Sequence, residues 1–242
     1  MTSFPLRRLL PEPGATVAAE EAYADAGWAQ RAPDDRPYVV LNMVLSADGH
    51  AARDGVSGGL SVDRADRTVF LALREQVDAI LAGTGTIAAE GYRRLIPQAE
   101  RRAKRAAAGL APDPLACILS RSGNLPDAPL LTDPEQPRAI YTGDDADPRA
   151  ALAHLRTHHG IRTLLCEGGP GLNRALLAAG VVDELLLTLS PLLVGGPGAP
   201  AVAGEPLPDA NRLDILSMFD HLGTLFLRYR IRPASGSLPA DG

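Results

Sequence analysis

Three apolar runs in this chain each break into small, hydroxyl-bearing or glycine-rich loops: Ser46-Ala-Asp-Gly49, Gly83-Thr-Gly-Thr86 and Glu167-Gly-Gly-Pro-Gly171. A short β-branched or aliphatic run ended by turn residues predicts a buried strand. Glycine just after it lets backbone N–H groups and helix N-termini approach a phosphate, the arrangement that open α/β sheets use beyond the carboxyl ends of their strands. The three loops together point to a phosphorylated ligand, although a glycine turn also simply ends a strand. None carries the lysine of a Walker A loop or a complete GxGxxG spacing.

The rest of the chain alternates in the way such a sheet needs. Residues 38–45, 79–82, 115–119, 138–142 and 163–166 predict strands, and helices are expected between them. The first covers residues 62–74, with Ser61 as N-cap and Asp63 and Asp66 in its positive first turn. Another starts at Asp147-Pro148 and stops at Gly160, and one more follows Gly171 and stops at Gly180. Residues 93–111 read as a basic loop with an exposed helical piece. Residues 182–194 predict a long strand broken at Pro191, and 213–219 with 225–231 a closing antiparallel pair. The expected fold is α/β: a mixed, mostly parallel sheet flanked by helices, with an antiparallel C-terminal edge. Residues 1–36 are expected to be an N-terminal extension packed on the surface, 37–232 one domain, and 233–242 a flexible tail.

Charge narrows the ligand class. Lys and Arg number 24 against 29 Asp and Glu, a net charge of −5, and the basic residues form no cluster beyond 101–105. That argues against a nucleic-acid binder and for a small-molecule one. Cys117 and Cys166, the two cysteines, sit in separate apolar runs and read as reduced core thiols, so a cytoplasmic location is expected. No run reaches the roughly 18 apolar residues of a membrane span, and the first residues lack a signal-peptide core, so neither membrane nor export is expected.

Four ordered motifs carry a family resemblance. They are Asn42-Met-Val-Leu-Ser-Ala-Asp-Gly49; Ala79-Ile-Leu-Ala-Gly-Thr-Gly-Thr86 with Ala89-Glu90; Cys166-Glu-Gly-Gly-Pro-Gly-Leu172; and Val182-Asp-Glu-Leu-Leu186 up to Pro191-Leu-Leu-Val-Gly-Gly196. Over residues 37–231 the chain resembles the riboflavin-pathway pyrimidine reductases, whose fold is that of dihydrofolate reductase. The resemblance implies an NADPH-dependent enzyme that passes a hydride to C1′ of a ribosylamino-pyrimidine phosphate, and a homodimer. It implies cofactor contacts from Thr86, Glu90 and the loop Glu167, Gly168, Gly169, Pro170, Gly171 and Leu172, with Gly85 beside them. Ser57 and Arg74 fall on positions that hold substrate.

The residue types fit these roles. Arg74, in the last turn of its helix, offers a fork suited to phosphate, though an arginine there also suits the helix dipole. The Glu167 carboxylate can accept from ribose or nicotinamide amide groups, or cap the following helix. Ser120-Arg121-Ser122 follows a strand where this fold keeps hydroxyl and guanidinium groups for the adenosine 2′-phosphate. A cis Gly168–Gly169 peptide is expected by the same likeness. Asp48 and Glu90 are the acids expected near the reacting centre, Asp48 being equally a turn residue before Gly49. His154 and His158 have zinc-pair spacing but no third ligand, and no metal is expected. No His-x-Glu with Pro-Cys-x-x-Cys appears in the sequence, so zinc deaminase chemistry is not expected of it. Two other readings stay open: reduction of a different heterocycle such as dihydrofolate, and a ligand-binding homologue without turnover.

Overall fold

In a computed structural model, residues 4–198 and 200–232 are described; the tail expected at 233–242 lies outside them. The chain forms one ten-stranded sheet, in the order β2-β1-β9-β10-β8-β3-β7-β4-β5-β6. β1 (Pro5–Leu10) and β2 (Thr16–Ala18) precede β3 (Tyr38–Ser46). Then come α1 (Arg64–Gln76), β4 (Ala79–Gly83), α2 (Thr84–Ala89), α3 (Ala99–Ala107), β5 (Leu115–Ser120) and the short α4 (Pro129–Thr132). β6 (Arg138–Thr142), α5 (Pro148–His159), β7 (Thr163–Cys166) and α6 (Pro170–Ala178) complete the alternating part. β8 (Glu184–Ser190), β9 (Arg212–His221) and β10 (Thr224–Arg232) close the chain.

The strands from β8 across to β6 run parallel. Their interior members are continuous apolar runs because both faces are covered: all of β4 and β7 is buried. One face packs on α1 and the segment around Tyr23 and Trp28; the other packs on α5 and α6 through Leu152, Leu155 and Leu176. α1 carries the chain from β3 past one strand position to β4, and β7 later fills the gap. That reversal of order leaves a crevice at the carboxyl ends of β3, β7 and β4.

Toward the other edge the sheet is antiparallel, as expected, but it is larger than the sequence suggests. Residues 4–36 are not a surface extension. β1 pairs with β9, β2 pairs with β1, and Leu6, Tyr23 and Trp28 are core residues. A buried carboxylate ties this segment in. Glu184, fully enclosed, accepts from Trp28 Nε1 at 2.9 Å, from the Tyr38 hydroxyl at 2.8 Å, and from both Nε and Nη2 of Arg228 at 2.7 and 3.0 Å. Burial opposes its charge, but these donors, Arg228 foremost, hold its pKa below the ordinary value.

Local details also shift. The α1 N-cap is Asp63, whose carboxylate accepts from Ala65 N–H at 2.7 Å, while Ser61 instead donates to Asp66. The basic segment does contain a helix, α3, but its Arg105 is wholly buried, donating to the carbonyls of Arg74 and Val77 at the end of α1. Among the described residues no helix is long and apolar enough to cross a membrane.

Candidate active site

The crevice opens into a cleft of about 1000 Å³ lined by the ends of β3, β4, β5, β6 and β7 and by α1, α2 and α6. That is the upper end of the size range for small-molecule sites. Its lining brings together two kinds of chemistry.

Gly83 passes against Gly168 and Gly169, a close approach fixed by the Gly83 N–H donating to the Gly168 carbonyl at 3.0 Å. Gly168 and Gly169 have φ of +91° and +110°, where only glycine is unstrained. The peptide between them is trans, which corrects the expected cis bond; Leu10–Pro11 is the cis bond recorded among the described residues. Gly85 and Gly171 are more telling. Each is the second residue of its helix, neither has a positive φ, and a Cβ on either would meet no protein atom within 4 Å. Neither conformation nor packing demands glycine there, and the missing side chains leave the backbone bare at both helix starts. The nine-residue α6 begins on this lining with no side-chain cap, and because its first residue, Pro170, has no N–H, its first donors are the N–H groups of Gly171 and Leu172. Thr86, Pro170 and Leu172 line the same space, and exposed Arg121 stands beyond them with Asp144.

Ser57 and Glu90, also on the lining, come together: Glu90 Oε1 accepts the Ser57 N–H at 2.7 Å and its hydroxyl at 2.8 Å. Next to them stands a buried ion pair. Arg74 grips Glu167 side-on, Nε to Oε1 and Nη2 to Oε2, both 2.6 Å, and its Nη1 donates to the Leu95 carbonyl at 2.9 Å. The Tyr92 hydroxyl donates to Glu167 Oε2 at 2.5 Å. Burial works against the Arg74 charge, but Glu167 outweighs it and the pKa is raised. Burial, then the Glu167 charge, pushes the Tyr92 phenol well above its ordinary value, so it remains a donor.

This geometry revises several expectations. Arg74 is not an open phosphate fork: three of its five donors are taken and its charge is matched by Glu167. Asp48 lies outside the cleft lining. It braces the turn after β8 by accepting from Val194 N–H, Gly195 N–H and the Ser46 hydroxyl. The Ser46 hydroxyl and then Gly195 hold its carboxyl well below the usual range. Ser120 is buried, donates to the Asn124 carbonyl at 2.9 Å and is likewise absent from the lining, which leaves Arg121 of that turn at the cleft. Arg94 is committed to Asp113 and Glu135. The His154 imidazole bonds the Tyr141 hydroxyl at 3.0 Å and stacks on His158 with centroids 4.2 Å apart. Burial pushes both cysteine thiols up, Cys166 to about 12.

Sequence reasoning missed Tyr92, Phe70 and Arg67, all on the lining. Arg67 and Phe70 carried a usable signal, since they share a helix face with Arg74 at spacings of seven and four.

An open, mostly parallel sheet with glycine loops at its switch point defines an α/β domain of dihydrofolate-reductase-like architecture. The model of the family described as the RibD C-terminal domain matches residues 37–221, and the chain belongs to that family. It is 28% identical over 201 residues to the 2,5-diamino-6-ribosylamino-4(3H)-pyrimidinone 5′-phosphate reductase of Archaeoglobus fulgidus, covering 74% of this chain and 92% of that one. It is 33% identical over 172 residues to the riboflavin biosynthesis protein RibD of Mycobacterium tuberculosis, covering 70% of this chain and 47% of that longer one. A solved pyrimidine reductase-like protein from Corynebacterium diphtheriae superposes with a TM-score of 0.74 over 90% of this chain and 100% of that one, at 21% identity. That likeness shows the fold.

Proposed function

We propose that this protein is an NADPH-dependent reductase of a ribosylamino-pyrimidine 5′-phosphate in riboflavin biosynthesis. The observation that carries the reading is one cleft whose lining joins bare glycines at two helix starts to Ser57, Glu90 and arginines. Family membership and the printed activity of the Archaeoglobus relative support the substrate class.

NADPH, when bound, supplies the hydride that goes to C1′ of the sugar. Gly85, Gly171 and the first N–H groups of α6 fit its pyrophosphate, and Thr86, Pro170 and Leu172 wall that end. Arg121, exposed and without an acidic partner among the described residues, is suited to a 2′-phosphate, which favours NADPH over NADH. Glu90 presents Oε2, unbonded among the described residues, to the substrate end, and Ser57 fixes its other oxygen. Glu90 is thus the group that orients the sugar and hands on the proton when its ring opens. Alignment and exclusion of water supply the rest.

A homodimer through the sheet face carrying Leu187, Leu189 and Leu225, half-buried here, and a cytoplasmic location consistent with two reduced core cysteines complete the reading. The test is NADPH oxidation by the full chain, offered the ribosylamino-pyrimidine phosphate and dihydrofolate separately. Turnover of the phosphate compound is expected; preference for dihydrofolate moves the protein to another heterocycle, and no turnover of either ends the enzyme reading.

A further inference from the structure

We propose that the connection between β8 and β9 is a strap that sets the glycine turn and the start of α6, with Asn173 as its buried anchor and Asp48 as its remote one. Both are positioning residues: neither lines the cleft, and each acts on cofactor binding through the strap. The inference rests on the reductase reading above and adds to it a coupling between the turn after β3 and the loop after β7.

The connection takes a long way round. β9 lies two places from β8, with β10 between them, on the side away from β3 and β7. The chain nevertheless turns toward β3 and β7 first. In the turn after β3, Ala47 N–H donates to the Leu192 carbonyl at 2.9 Å, and Asp48 accepts from Gly195 N–H at 2.7 Å and Val194 N–H at 3.1 Å. His50 Nε2 bonds the Gly196 carbonyl at 3.0 Å, and its Nδ1 lies 3.3 Å from Asp48 Oδ1. Gly198 sits so close on this imidazole that a Cβ there would fall 1.4 Å from His50 Cδ2, so only glycine fits. From residue 200 onward the same connection is bound to α6: Ala203 N–H donates to the Pro170 carbonyl at 3.1 Å, and Arg174 donates to the carbonyls of Glu205 and Pro206.

Asn173 is where the strap meets the glycine turn. It is wholly enclosed, and its backbone N–H donates to the Gly169 carbonyl at 2.9 Å. Its side-chain Nδ2 donates to the Ala201 carbonyl at 2.8 Å and to Met43 Sδ at 3.1 Å. That sulfur lies 3.1 Å from where a Cβ on Gly168 would stand, and Met43 itself lines the cleft. One buried amide thus joins β3, the strap and α6 at the glycine turn. Packing alone would be served by an apolar side chain at this position of α6; an amide is needed because a carbonyl of the strap and the amide itself must both be satisfied away from water. Met43, Gly168, Gly169 and Pro170, which the strap and Asn173 hold, are all on the cleft lining. A shift of the strap at Asp48 therefore reaches the lining through a contiguous set of bonds.

The experiment measures amide hydrogen exchange and steady-state kinetics on the full chain for wild type, Asp48→Ala, Asn173→Leu and the double variant. Asp48→Ala is expected to speed exchange across residues 168–174 by about tenfold while the amides of α5 keep their wild-type rates. It should raise KM for NADPH about threefold or more and move KM for the ribosylamino-pyrimidine phosphate by less than about twofold. Asn173→Leu gives the same signature, and the double variant is little worse than the poorer single one, because both cut the same strap. The proposal is overturned if exchange after Asp48→Ala rises only at residues 192–198, if α5 and α6 speed up together, or if the two substitutions multiply in their effect on KM for NADPH. Should Asn173→Leu fail to fold, the exchange pattern of Asp48→Ala decides alone. Should wild type neither bind nor oxidise NADPH, the reductase reading falls, and the same exchange pattern still decides the strap.

Discussion

Glu184 and Glu167 are held by the same kind of clamp in two places. Each accepts a side-on arginine fork, Arg228 or Arg74, and an aromatic hydroxyl, Tyr38 or Tyr92. Glu184 is sealed inside the antiparallel half, where the Trp28 indole closes the set and ties the segment around it to the sheet. Glu167 follows β7 directly and lines the cleft together with Phe70 and Arg74. One clamp therefore belongs to stability and the other to the site. A buried pair is costly to assemble and costly to break, so its presence does not reveal its purpose; its neighbours do.

The comparison breaks most visibly at Glu184. Glu184→Gln leaves Arg228 buried without its counter-charge, and urea unfolding should show a loss of about 3–5 kcal/mol, with early proteolysis before residue 37. The same carboxylate sets an acid limb. Its folded pKa lies below the ordinary 4.5, so the stabilisation is present above that pH and is lost as pH falls through the lowered folded value. The Gln variant should show a flatter acid unfolding curve.

Arg74→Ala breaks the second pair and should destabilise by a similar about 3 kcal/mol, yet it should also abolish most turnover at temperatures where the variant is folded. A variant that is unstable but fully active, gram for gram of folded protein, would make the two clamps alike after all. Tyr92→Phe is the mildest change. It removes one donor from Glu167, and a loss of about 1.5–3 kcal/mol in stability with a measurable drop in kcat is expected; the same change at Tyr38 should leave kcat untouched.

The legible part of the molecule is what short-range pattern encodes. The β4, β6 and β7 runs, the Asp147-Pro148 start and the Gly160 stop of α5 stand in the structure where periodicity and capping put them. Residues 4–36 were not legible as sheet, because β2 has three residues and the core anchors Tyr23 and Trp28 follow no strand or helix period. The ion pairs were hidden for another reason. Arg74 and Glu167 are 93 residues apart, and Trp28 and Glu184 156 apart, so only the crossover of β7 into the gap between β3 and β4 brings the first pair together. A sequence shows a fork at position 74 but not that the fork is occupied. Asp48 misled in the opposite way: an acid beside a glycine loop matches both a catalytic group and a turn brace, and the N–H groups of Val194 and Gly195 decide it.

The central claim is hydride transfer in this cleft to the sugar of a phosphorylated pyrimidine. Its most direct test is a single turnover with NADPH deuterated at the transferable position, followed by NMR of the product. The account predicts deuterium on C1′ of a ribityl chain. Label on the pyrimidine ring, or an oxidised cofactor with no label in the product, would contradict it.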